Sequence, residues 1–102
     1  SVAMFRTAPL GSQHIPGSPY NVTILQEGYS RPRSDRTFEA DCTITLVRGG
    51  PVTALVDTGG PWGRQRLLDA LDAVAVSPRD VTHVLCTHGH VDHVGNLNLF
   101  PS

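Results

Sequence analysis

The chain has 102 residues, 39% of them hydrophobic, and a net charge of −1 at pH 7. That size suits one small domain with a modest core, and the near-neutral balance excludes a bulk electrostatic pull toward nucleic acid or anionic membrane. Two cysteines far apart, Cys42 and Cys86, make no disulfide framework and fit a reducing compartment, and no apolar run reaches the length of a membrane span.

Residues 1–19 are rich in Pro, Gly and Ser and predict an irregular N-terminal arm, with His14 an incidental polar residue. The first seven residues hold no apolar segment of the signal-peptide kind. Residues 20–102 read as the folded part. Residues 20–29 mix β-branched and aromatic side chains and predict the first strand. Residues 30–36, with Arg31, Pro32, Arg33, Asp35 and Arg36, predict a charged loop broken by proline. Its arginines read as solvated side chains rather than phosphate contacts, because the chain lacks net positive charge.

Residues 41–47 alternate, with Cys42, Ile44 and Leu46 on one face against Thr43 and Thr45, which predicts a half-buried strand. Gly49-Gly50-Pro51 makes a turn, and residues 52–56 complete a hairpin. Pro61 suits a first helical position. Leu67, Leu68, Leu71, Val74 and Ala75 then recur at the spacing of an amphipathic helix. Ser77-Pro78-Arg79-Asp80 resembles a capping box. Residues 81–86 are predicted as a parallel strand buried on both faces, with His83 packed inside it, closing a right-handed βαβ unit. A further helix is expected from Asn96 until Pro101 interrupts it. These elements make an α/β fold.

The densest chemistry follows the last strand. His88, His90, Asp92 and His93 fall within six residues. Imidazole nitrogens and carboxylate oxygens are zinc ligands at about 2.0–2.2 Å. His88 and His90 are two apart, so in extended backbone they point the same way and can grip one ion. Asp92 and His93 follow a turn and can face the same ion or a second one. Gly89 and Gly95 are expected to let the backbone bend here. Asp57, at the end of the preceding strand, neighbours this cluster in a parallel pair and can hold a ligand in place.

His88-x-His90-x-Asp92-His93, with residues 55–62 (Leu-Val-Asp-Thr-Gly-Gly-Pro-Trp) and 95–101, resembles the metallo-β-lactamase superfamily. The resemblance implies a four-layer αββα sandwich, of which this chain would be the N-terminal half, with two Zn2+ ions between the sheets. His88 and His90 would bind the first ion, and Asp92 and His93 the second. Asp92 would also take the proton of the attacking water, and Asp57 would support the ligands without being one. The family's later ligands have no counterpart here, since neither His14 nor His83 sits where they belong. The expectation is therefore a partial domain, either the N-terminal part of a longer enzyme or a truncated isoform, with weak zinc binding and little activity alone.

The implied function is hydrolysis of RNA phosphodiesters by a metal-activated water, in 3′-end processing of histone pre-mRNA. Single-stranded RNA is then the substrate, and the cytosol and nucleus are the locations. The apolar faces of a half sandwich imply a homodimer. The alternatives are a glyoxalase II-like thioester hydrolase and a catalytically inactive truncated form. Asp57-Thr58-Gly59 also occurs in retroviral-type aspartic proteases, but that reading leaves the histidines without a role.

Overall fold

The computed structural model describes residues 13–100. Strands β1 (Gln13–Ile15), β2 (Asn21–Gln26), β5 (Ile44–Gly49), β6 (Val52–Val56) and β7 (His83–Leu85) form one sheet in the order β1-β2-β5-β6-β7. Its pairs are antiparallel except β6 with β7, which run parallel. Strands β3 (Tyr29–Pro32) and β4 (Phe38–Asp41) make a separate hairpin. A 3-10 turn at Pro61–Gly63 leads into α1 (Arg64–Ala73); α2 (Val91–Val94) and a 3-10 turn at Leu97–Leu99 follow β7.

The core forms where the alternation of β5 meets the apolar stripe of α1. Ile44 and Leu46 point inward from β5, Leu55 from β6, and Leu67 and Leu71 from α1. Val76, Val81 and Phe100 close the edges. Full burial of each such leucine or isoleucine contributes about 1.5–3 kcal/mol. Arg48 Nη1 donates to the Val74 carbonyl at 3.2 Å and so anchors the C-terminal end of α1 to β5. The Ser77–Asp80 capping box is present, with the Ser77 N–H donating to Asp80 Oδ2 at 2.8 Å.

Several expectations need correction. Within the irregular arm, residues 13–15 pair with β2, and His14 Nδ1 lies 3.0 Å from Thr23 Oγ1; residues 1–12 fall outside the described residues. The charged loop at 30–36 is half strand, because residues 29–32 pair with 38–41. Pro32 is tolerated there because a two-stranded ribbon has an open edge on each side. The strand at 81–86 is shorter and is not buried on both faces. β7 lies at the sheet edge, Leu85 is 57% exposed, and His83 is exposed with its ring 2.8 Å from Thr82 Oγ1. A continuous apolar run reports burial only when something covers both faces, and among the described residues nothing covers the outer one.

A candidate metal centre at the end of the parallel strands

β6 and β7 end side by side, so the residues that follow them meet. The Asp57 N–H donates to the Leu85 carbonyl at 2.7 Å, extending the ladder by one step. Asp57 itself sits at φ +62°, a left-handed conformation rare for any residue with a side chain, though Asp tolerates it better than most. That reversal turns its carboxylate onto the segment after β7. Oδ1 accepts from the Thr87 N–H at 2.8 Å. Oδ2 accepts from the Thr87 hydroxyl at 2.9 Å and meets His93 Nδ1 at 2.8 Å. Burial alone would raise the Asp57 pKa, but the hydrogen bonds from Thr87 and His93 together hold the carboxyl below its ordinary range.

This network sets the imidazoles. With Asp57 as acceptor, His93 Nδ1 carries the proton and Nε2 keeps its lone pair. The Thr87 hydroxyl, whose proton is given to Asp57, lies 3.0 Å from His88 Nδ1. That contact needs Nδ1 as the donor, which leaves His88 Nε2 free as well. The His88 and His93 ring centroids are 3.9 Å apart, and those of His88 and His90 are 4.5 Å apart. Asp92 Oδ2 lies 3.5 Å from His93 Nε2. His88, His90, Asp92 and His93 thus neighbour one another with Asp57 behind them, although no three of the four bring ligand atoms within 4.8 Å of one another. Two ring nitrogens freed by hydrogen bonds on their opposite sides, beside a third imidazole and a carboxylate, are a donor set that fits zinc.

A second grouping overlaps it. Cys42 Sγ, an Asp57 oxygen and a His93 nitrogen lie within 4.8 Å of one another. It is the tighter grouping, but both Asp57 oxygens are already engaged and burial pushes the Cys42 thiol up to about 11. A metal prefers the thiolate, which this environment disfavours.

The sequence reading missed a buried clamp beneath the ligands. Thr58 donates twice to the His93 carbonyl, from its N–H at 2.7 Å and its hydroxyl at 3.0 Å. The Thr58 hydroxyl also accepts from the Asn96 N–H at 3.0 Å. Asn96 Nδ2 donates to the carbonyls of Thr58 and Gly60, each at 2.9 Å. Asp41 Oδ1 holds the other side of this loop through the N–H groups of Cys42 and Gly60. Thr58 is 0% exposed and Asn96 2%. The one available signal was a polar residue following Gly95 where a helix was expected. Gly95 serves packing rather than a bend. Its φ is an ordinary −65°, while a Cβ there would collide with Pro61. Gly89 has open space around it and no positive φ, so neither reason applies to it.

The chain belongs to the metallo-beta-lactamase superfamily, whose family model matches residues 38–102. Its curated relatives are more particular. It is 58% identical to Metallo-beta-lactamase domain-containing protein 1 of Xenopus laevis over 98% of this chain and 42% of that protein. To the Homo sapiens protein of the same name it is 41% identical, over 94% of this chain and 47% of that protein. The chain therefore spans less than half the length of these two relatives. Among solved structures, a candidate metallo-beta-lactamase from Thermotoga maritima superposes with a TM-score of 0.69 at 27% identity, over 79% of this chain and 39% of that one. AidC, a dizinc quorum-quenching lactonase, gives 0.66 at 24% identity, over 89% and 42%, and shows the fold alone. The α/β arrangement described above is thus part of the metallo-beta-lactamase fold.

Proposed function

We propose that this chain carries the first ligand cluster of a zinc-dependent hydrolase, an endoribonuclease that cuts single-stranded RNA in 3′-end processing of histone pre-mRNA. The observation that carries the metal reading is the hydrogen bonding at His93. Asp57 takes Nδ1, so Nε2 stands ready beside Asp92, with His88 and His90 in ring contact. Zinc held by these residues would supply Lewis acidity toward water. The Asp92 carboxylate, partly buried 3.5 Å from His93 Nε2, would be the acceptor for the water's proton. Thr87 and Asp57 hold the imidazoles in the tautomer that ligation requires.

The arginines of the β3–β4 hairpin support a phosphodiester substrate over a thioester, since guanidinium forks match phosphate oxygens. The free edge of β7 and the exposed Leu85 support a homodimer. No helix among the described residues is long and apolar enough to cross a membrane, and the cytosol and nucleus are the proposed locations.

The test places this chain in the matching segment of the Xenopus laevis relative and assays the zinc-loaded chimera on single-stranded RNA and on an acyl-glutathione thioester. RNA cleavage lost on chelation and on Asp92→Asn is the expected outcome. Thioester turnover without RNA cleavage would replace this reading by the glyoxalase-like one. The 102-residue chain alone is expected to bind zinc weakly with little activity. Stoichiometric micromolar binding accompanied by turnover would contradict that.

A further inference from the structure

The hairpin that the sequence presented as a solvated loop forms one wall of a cleft of about 530 Å³ beside the metal motif. Arg33 and Phe38 come from the hairpin, Trp62 and Arg66 from the start of the helical segment, and Asp92 from the metal motif itself. Two features make this more than a surface dent. Its aromatic faces are open yet held: Phe38 is 71% and Trp62 55% exposed, and Gly60 lets the Trp62 ring lie against the backbone where a Cβ would collide with it. Its cations are held. Arg66 Nη1 donates to Tyr29 Oη at 3.0 Å and to Gln26 Oε1 at 3.4 Å, and its guanidinium lies 5.7 Å over the Tyr29 ring, which fixes it on the cleft wall. Arg33 holds only a loose, exposed pair with Glu39 at 3.8 Å, of a kind worth little and readily exchanged.

We propose that this cleft is the substrate-reading subsite: it takes one nucleotide of a single strand, base against Trp62 and Phe38, phosphate on Arg33 and Arg66. The inference rests on the endoribonuclease reading and deepens it. Guanidinium geometry and shape select the occupant. The cleft wall carries Arg33 and Arg66 against Glu39 and Asp92, so its net charge is balanced and recognition of an anion rests on the two guanidinium forks. A planar guanidinium fork matches phosphate oxygens in pairs, which a single strand's backbone offers. Exposed aromatic rings add affinity for a flat π-surface, which a nucleobase has and an acyl thioester lacks. Asp92 on the cleft wall puts the bound phosphate next to the metal motif.

Trp62 is the sole tryptophan, so its fluorescence reports on the cleft directly. The metal-free chain is titrated with hexaadenylate RNA, inorganic phosphate and an acyl-glutathione thioester. Saturable quenching by the RNA is expected, at concentrations at least tenfold below those at which the other two act. Phe38→Ala weakens RNA binding by about fivefold or more, the loss of one stacking face. Arg33→Ala and Arg66→Ala each weaken it and lower the slope of log affinity against log salt by about 0.7. Phe38 and Arg33 are exposed, so those variants keep the fold. Unchanged RNA affinity in both of them, or equal quenching by phosphate, overturns the proposal. The two readings fail separately. If the chimera cleaves RNA with a KM unmoved by Phe38→Ala, the nuclease stands and the cleft falls. If the cleft binds RNA that the zinc-loaded chimera cannot cut, the subsite stands and the nuclease falls.

Discussion

The two halves of the metal motif are built differently. His93 and Asn96 sit on a buried loop-to-loop clamp, where Thr58, Gly60 and Asp57 satisfy their polar atoms. His88 and His90 are exposed, held by one Thr87 contact, by each other's rings and by the His93 ring against His88. The first half is organised before any ion arrives. The second half is joined to the first chiefly through the His88–His93 ring contact at 3.9 Å. The lesson is that ligand spacing in sequence says nothing about which ligands the fold holds rigid.

The largest expected effect tests the rigid half. Asn96→Ala strands two buried carbonyls, those of Thr58 and Gly60, at about 1–3 kcal/mol each. Urea unfolding should show a loss of about 2–6 kcal/mol without a change in slope; a loss under about 1 kcal/mol would mean the clamp is not rigid.

Asp57→Asn should come next, and it carries a pH signature. The folded carboxyl lies below its unfolded value of about 3.9, so its contribution is complete above that value and disappears as pH falls through the folded one. The parent chain should lose stability on acidification more steeply than Asp57→Asn does; parallel curves would remove Asp57 from the anchoring role.

The smallest effect belongs to the exposed half. His88→Ala should change metal-free stability by no more than about 0.5 kcal/mol, yet abolish any zinc-dependent rise in Tm. A metal-free loss as large as that of Asn96→Ala would erase the contrast between the halves.

The candidate cluster was visible because its members fall within six residues; β5 was legible because Ile44 and Leu46 alternate, and β6 because a Gly-Gly-Pro turn precedes it. The clamp was not, because Thr58 and Asn96 lie 38 residues apart and their pairing exists only in three dimensions. The β3–β4 hairpin was hidden by Pro32 and by charges that a core strand would exclude but an exposed ribbon accepts. The depth of β7 was overestimated for a related reason: Val84 and Leu85 signal an apolar environment without saying on which side it lies.

The reversed backbone at Asp57 narrows what evolution or an engineer can place there. Glycine would relax the φ of +62° at once but would cut His93 loose, and a β-branched residue would satisfy neither demand. Asn alone keeps the reach and tolerates the handedness, at the expense of the negative charge. The usual route to a sturdier turn, relieving the strained residue, is therefore closed at the position where it would otherwise be tried first.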